Sequence, residues 1–225
     1  MKTIINFLFA ICCFTSLIAQ NSLVITAGPS LQNVTTSGLQ SSLRPDYKFH
    51  HGLQAQVMWS QDFSPRFSLM TGLGYTEKGF RLNEGFDLDI LNLPMEIGVE
   101  ANTTLRYVEL PLQMKYSFND GHVSFYALAG PAIGYAMSGE VRTKANLIFD
   151  INLLRTKLDL NDNIYRRVEL SGVLGLGGEI KFNQGALIAQ VNYQQGFSRV
   201  IDNTLVDLRL KNYGFGMNIG YRLNL

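Results

Sequence analysis

The sequence predicts an all-β protein, a closed antiparallel up-and-down barrel of eight strands that crosses a membrane. Three observations carry this. Apolar residues recur at every second position over long stretches, the period of a strand with two unlike faces. The links between these stretches alternate between short turns and long polar segments. On four stretches, aromatic residues of one parity bracket the apolar face at a spacing that suits a bilayer.

The first strand is a short run over 22–30. In the second, Phe49, His51, Leu53, Ala55, Val57 and Trp59 alternate with His50, Gly52, Gln54, Gln56 and Met58. The third sets Phe67, Leu69, Leu73 and Tyr75 against Ser68, Met70, Gly72, Gly74 and Thr76. In the fourth, Val108, Leu110, Leu112, Met114, Tyr116 and Phe118 alternate with Glu109, Pro111, Gln113, Lys115 and Ser117. Segments 123–137 and 167–182 fit the same template with apolar residues on both faces. The seventh strand sets Leu187, Ala189, Val191 and Tyr193 against Ile188, Gln190, Asn192 and Gln194. The last sets Tyr213, Phe215, Met217, Ile219, Tyr221 and Leu223 against Asn212, Gly214, Gly216, Asn218, Gly220 and Arg222.

Three links are short: 60–66, 119–122 and 183–185. The last two, Asn119-Asp120-Gly121-His122 and Asn183-Gln184-Gly185, carry turn residues with a glycine available for positive φ. The links 31–48, 80–103, 138–166 and 198–207 are long and polar. Such alternation predicts turns on the periplasmic side and loops outside.

Period two alone does not say which face meets lipid, but the aromatic pairs do. Phe49 and Trp59, Phe67 and Tyr75, Phe125 and Tyr135, and Tyr213 and Tyr221 each bracket an apolar face. Eight to ten residues of tilted strand climb roughly 20–25 Å along the membrane normal, close to the apolar band expected between aromatic girdles. On the opposite face Gln54, Gln56, Gln113, Ser171, Lys181, Gln190, Asn192, Gln194, Asn212 and Asn218 point inward. Glu109, Lys115, Glu169, Glu179 and Arg222 share that face and form the candidate polar network of the lumen. A charge left in lipid costs about 2–4 kcal/mol near the midplane, whereas a narrow lumen lets it pair. The competing arrangement is a soluble, lipocalin-like ligand-binding barrel with its apolar parity inward. It would open on a Gly-x-Trp signature, but the single tryptophan, Trp59, ends the second strand.

Ahead of the strands stand Lys2, an apolar run over 4–18 and the small Ala19. A charged start, an apolar stretch and a small-residue cut predict a secretory signal peptide over 1–19, leaving 20–225 as one barrel domain. The run is shorter than a membrane-spanning helix requires. Both cysteines, Cys12 and Cys13, fall inside it, and Ile11 does not suit a lipoprotein cut. The exported part is therefore expected to hold no disulfide, thiolate metal site or cysteine nucleophile. A formal net charge of +1 gives no electrostatic case for nucleic acid.

Tyr107-Val108-Glu109-Leu110-Pro111-Leu112 followed by Lys115-Tyr116 resembles the Tyr-x-Glu-x-Pro-Leu strand of the PorT-like outer-membrane β-barrel family, a group of small barrels of the OmpA/OmpX type. Thr71-Gly72-Leu73-Gly74-Tyr75-Thr76-Glu77-Lys78-Gly79, Gly130-Pro131 and Gly220-Tyr221-Arg222 are similar to further elements of that family. The resemblance spans nearly all of 20–225 and implies an integral outer-membrane protein of the cell envelope. Some PorT-like proteins serve in protein secretion, so it also implies possible membership of a secretion assembly, by analogy of fold. The chain departs from the family by ending on Leu223-Asn224-Leu225 in place of an aromatic. Asn218, Gly220, Leu223 and Leu225 keep the spacing of the terminal signal read by the barrel-insertion machinery.

Pro111 lies inside a paired strand, where it deletes a ladder hydrogen bond, so a bulge or distortion is expected there. Catalysis is not expected. His122 sits in a turn, and His50 and His51 point to opposite faces of one strand. Nothing in the spacing of Ser41, Ser42 and Asp46 builds a nucleophile and base with them. No metal or other cofactor is expected. The acidic stretch Asn83–Asp89 lacks calcium-loop spacing. Eight strands enclose an interior filled by side chains, so a small channel or transport barrel is the alternative function. The leading expectation is a non-enzymatic anchor or binding component of the envelope. Its partners would be outer-membrane lipid, the insertion machinery during assembly, and an envelope or extracellular protein. Within 138–166, Asn146–Leu154 alternates again and predicts a strand extension above the membrane that could pair with a partner strand.

Overall fold

The computed structural model describes residues 20–37, 47–90, 93–146, 150–158, 166–198, 201–203 and 208–225. The signal peptide expected over 1–19 lies outside these. Among the described residues ten strands are formed: β1 (Gln20–Ser37), β2 (Tyr47–Asp62), β3 (Phe67–Ile90), β4 (Leu93–Ser117), β5 (Val123–Asn146), β6 (Asp150–Leu158), β7 (Val168–Phe182), β8 (Gly185–Gly196), β9 (Ile201–Asn203) and β10 (Leu208–Asn224). Eight of them close a barrel in the order β1-β2-β3-β4-β5-β7-β8-β10, and β10 returns antiparallel to β1. β6 pairs with the upper part of β5 and β9 with the upper part of β10.

One row of cross-strand partners can be followed round the whole wall. It runs Asn21, Gln61, Leu69, Met114, Ala129, Leu174, Tyr193, Phe215 and back to β1 at Leu31. One circuit therefore advances by ten residues, from 21 to 31, along a strand that ascends from the turn end. A stagger of that size in eight strands sets a tilt of about 40°.

The faces separate as expected. Leu53, Val57, Leu73, Leu110, Leu112, Met114, Ile133, Leu174, Leu176 and Met217 are exposed, while Gln54, Gln56, Gln113, Gln190, Asn192 and Asn218 are buried. Trp59, Phe67, Phe125 and Tyr221 ring the turn end of the exposed band, and Phe49 and Tyr135 mark its other edge. A hollow of about 960 Å³ is lined mostly by outward side chains such as Leu174, Val191 and Met217. It therefore belongs to the lipid face.

Beyond the upper aromatics the apolar parity reverses. On β3 it passes from the odd positions Leu73 and Tyr75 to the even positions Phe80, Leu82, Phe86, Leu88 and Ile90. On β4 it passes from the even Val108 and Leu110 to the odd Leu105 and Tyr107, and on β10 from Tyr213 to Leu210. Leu105, Tyr107 and Ala136 are buried with Leu158 packed on them, and Leu210 and Val34 are buried at the same end. Outside lipid the solvent facing the wall is water, so the inner side becomes the apolar one.

This reversal corrects two expected loops. The polar loop predicted over 80–103 is a continuation of the β3–β4 ladder from Phe80↔Thr103 to Ile90↔Leu93. The segment 138–166 begins as a β5–β6 hairpin, as its own alternation suggested. The first strand is also longer than 22–30, because its pairing with β10 runs on to Ser37↔Arg209.

Pro111 interrupts pairing without a bulge. Cross-strand partners are missing beside it on both flanks, yet the register with β3 and with β5 is the same before and after. Its carbonyl accepts a hydrogen bond from the Thr71 hydroxyl at 3.0 Å. A Cβ on Gly130 of β5 would stand 2.0 Å from the Leu112 carbonyl oxygen, so backbones crowd together next to the proline. The register shift between β4 and β5 lies higher, at Arg106/Tyr107.

Candidate functional site in the lumen

Because successive side chains alternate across the wall, each strand delivers a polar residue to the axis at every second position. These residues assemble in three layers. Nearest the long hairpins, Lys78 Nζ lies 2.8 Å from Glu109 Oε1 and 3.0 Å from Glu169 Oε1. All three side chains are at most 3 % exposed. Glu109 also accepts hydrogen bonds from the Thr76 hydroxyl at 3.0 Å and the Gln194 amide at 2.8 Å. The Asn212 amide donates to Glu169 at 2.7 Å. Lys78 Nζ sits 4.9 Å from the centre of the fully buried Tyr107 ring. One cation thus holds two carboxylates, and hydrogen-bond donors satisfy the remaining oxygens.

The middle layer is built of amides. Gln54 Nε2 donates to Asn192 Oδ1 at 3.0 Å and Asn218 Oδ1 at 2.8 Å. The space comes from the facing glycine, since a Cβ on Gly216 would lie 1.9 Å from Gln54 Nε2. In the lowest layer Glu179 bonds Lys115 and lies 3.4 Å from Arg222 Nη1. Lys115 Nζ stands 4.6 Å from the centre of the Tyr126 ring, whose hydroxyl donates to Gln190 at 2.9 Å.

The five residues singled out from the sequence therefore lie inward in two groups, Glu109 with Glu169 and Glu179 with Lys115 and Arg222. Sequence reasoning missed Lys78, which joins the first group. Its parity matches Gly72, Gly74 and Thr76, so carrying the third strand two residues further would have found it. Lys181, expected inward, is half-buried at the turn end, where its backbone N–H donates to the His122 carbonyl. His50 is buried beneath the hairpins with Nδ1 2.8 Å from Asn102 Oδ1, and His51 faces outward. Ser41, Ser42 and Asp46 lie outside the described residues. Among the described residues, no three of His, Cys, Asp and Glu are grouped to hold a metal ion.

A closed antiparallel wall with an apolar belt, aromatic edges and a lumen filled by paired charges defines an integral membrane β-barrel. Residues 18–202 match the family described as outer membrane protein beta-barrel domain, and the chain belongs to that family and to the outer membrane. No curated protein matches the sequence. Among solved structures, the chain is similar to the attachment invasion locus protein Ail of Yersinia pestis, crystallised with the heparin analogue sucrose octasulfate. The identity is 16 %, the match covers 91 % of this chain and 99 % of that one, and the TM-score is 0.37. It is also similar to OprG of Pseudomonas aeruginosa (10 % identity, 92 % and 96 % covered, TM-score 0.46). A third similar structure is the outer membrane protease OmpT of Escherichia coli (11 %, 92 % and 97 %, TM-score 0.46).

Proposed function

We propose that this protein is a non-enzymatic, non-conducting anchor that holds a β-sheet outside the outer membrane for contact with other envelope or extracellular proteins. The observation that carries this reading is the filled lumen, in which charged and amide side chains link strands that are not neighbours in the wall at three heights. Eight strands leave an interior only wide enough for such filling. The part of the molecule free to meet partners is then the continuation of β3, β4, β5 and β6 beyond the lipid band. In the same reading a cleaved leader over 1–19 delivers the chain. The likeness of the Tyr107–Leu112 strand to PorT-like barrels makes a protein-secretion assembly the first envelope complex to search.

Two measurements on one preparation test it. Planar-bilayer recording should show no steady porin-like conductance, and a large stable current would establish the channel alternative. Deleting 142–162 should leave a heat-modifiable barrel, because the β5–β7 ladder ends below it at Tyr135↔Val168. The deletion should abolish partner crosslinking in intact envelopes. Unchanged crosslinking would direct the search to the periplasmic turns instead.

A further inference from the structure

The register shift between β4 and β5 decides what the outer wall presents just above the lipid band. Below it Tyr107 pairs with Ala136, and both are buried on the inner face. Above it Arg106 pairs with Ser138 and Leu105 with Gly139, so β5 holds one extra residue. A Cβ on Gly139 would lie 2.8 Å from Leu105 Cδ2, which keeps Gly139 on the inner face. Because side chains alternate, Glu140 and Arg142 turn outward, on the face that Arg106 shares with exposed Leu110 and Leu112.

These side chains form a fixed group. Glu140 is only 6 % exposed although it faces out, since two guanidiniums lie on it. Arg142 bonds it through Nε, and Arg106 Nη2 stands 3.8 Å away. Arg106 Nε also donates to Glu77 Oε1 at 3.4 Å, and Glu77 accepts from the Tyr75 hydroxyl at 2.9 Å. Lys157 of β6 is opposite Glu140 in the ladder and exposed. On β7, Arg167 donates to the Tyr135 hydroxyl at 3.1 Å and lies 6.0 Å from the centre of that ring. A guanidinium carries five N–H donors in a rigid fork. The carboxylates therefore hold Arg106 and Arg142 in place while a third of the first side chain and half of the second stay open.

We infer that this face binds the phosphates of an outer-leaflet glycolipid, with Arg106, Arg142, Lys157 and Arg167 as the phosphate-binding groups. Height supports this ligand. Val108, Tyr135 and Val168 share one row with the upper aromatic Tyr75. Arg167 stands one residue above that row and Arg106 two. Glu140 and Arg142 lie opposite Thr104 and Asn102, four and six residues above it. At about 2.5 Å of climb per residue, the cations occupy a layer from roughly 3 to 15 Å above the row. The headgroups of an ordinary phospholipid fill only about 5–8 Å beyond the hydrocarbon. A phosphorylated sugar headgroup is taller and carries several anions, so it meets Arg106 and Arg167 at its base and Arg142 and Lys157 higher up. Guanidinium matches phosphate through paired N–H bonds, and Tyr75 and Tyr135 mark the level at which the acyl chains begin.

Protein purified from outer membranes and freed of lipid tests the assignment. The probe is a bis-phosphorylated diglucosamine lipid titrated in zwitterionic detergent and followed by native mass spectrometry. A one-to-one complex should form. Arg142→Gln should weaken it about tenfold, the loss expected for one charge-assisted contact, and adding Arg106→Gln should weaken it further. Arg66→Gln with Lys181→Gln, which removes two positive charges from the turn end, should leave binding unchanged. Loss of Arg106 also uncovers Glu140, so Glu140→Gln supplies a variant of opposite sign. It releases both guanidiniums and should tighten binding, whereas a merely structural network would lose affinity or heat-modifiability. Equal binding of the dephosphorylated lipid, or an equal loss in the turn-end variant, would overturn the inference. Equal affinity for phosphatidylglycerol would overturn it in favour of a general anionic-surface contact. Displacement by equimolar inorganic phosphate, or tighter binding of a sulfated polysaccharide, would likewise remove the glycolipid as the ligand.

Discussion

Replacing Lys78 by methionine is the sharpest test of the lumen as a structural plug. The substitution keeps the length of the side chain and removes the single cation that Glu109 and Glu169 share at 2.8 and 3.0 Å. At an effective dielectric of about 20, each contact contributes several kcal/mol of gross attraction, largely offset by desolvation. Loss of one partner from a buried pair typically costs about 3–5 kcal/mol, because the remaining charge stays buried and uncompensated. Here two carboxylates are left facing each other, with donors such as Thr76, Gln194 and Asn212 still beside them. We therefore expect a loss of about 3–5 kcal/mol in urea unfolding from lipid vesicles. Trp59, the only tryptophan, reports the transition from the lipid face. Adding Glu169→Gln should recover about 1 kcal/mol or more by removing one of the two carboxylates, a coupling that a double-mutant cycle isolates. A cost for Lys78→Met below about 1 kcal/mol, or no recovery in the double variant, would refute the reasoning.

Two further outcomes follow from the wall. Leu112→Arg, exposed at mid-height, should lower stability by about 2–4 kcal/mol, whereas Leu223→Arg near the turn end should cost no more than about 1 kcal/mol. Equal costs in vesicle unfolding would place the lipid band wrongly. Gly130→Val should sharply reduce the heat-modifiable fraction, since its Cβ meets a backbone oxygen at 2.0 Å. Gly74→Ala, whose nearest neighbour is Gln56 Cγ at 3.4 Å, should fold as the parent does.

The barrel was legible in the sequence because lipid and lumen impose opposite demands on alternate residues, as in Leu53 through Trp59 of β2. The same logic hid the upper sheet. Phe80, Leu82, Phe86, Leu88 and Ile90 alternate like the membrane segment below, interrupted at Glu84, but on the opposite parity and with Asp87 and Asp89 between them. Read in the lower frame, the stretch is a polar loop; read with the change of solvent, it is the same strand continued. Lys78 was lost at that junction, while Glu109, Lys115, Glu169, Glu179 and Arg222 lie on segments whose parity does not change. Pro111 was correctly marked as a disturbance. Of the two forms expected, a bulge or a distortion, the disturbance is a distortion, because the neighbouring strands keep their register and the Thr71 hydroxyl takes up the proline's carbonyl.

The layers of the lumen also bear on how the chain reaches its final form. Lys78 of β3 meets Glu169 of β7, Lys115 of β4 meets Glu179 of β7, and Gln54 of β2 meets Asn192 of β8. None of these strands are hydrogen-bonded neighbours in the wall. Hairpins such as β2–β3 and β7–β8 can form early from local contacts, but the Gln54–Asn192 bond, whose shorter path round the wall crosses β1 and β10, exists only once β10 has joined β1. An inserted sheet with that seam open would leave the Gln54 amide without Asn192 and Asn218. Joining the seam and completing the amide layer are thus one event, which makes the last step of assembly cooperative and its reversal slow.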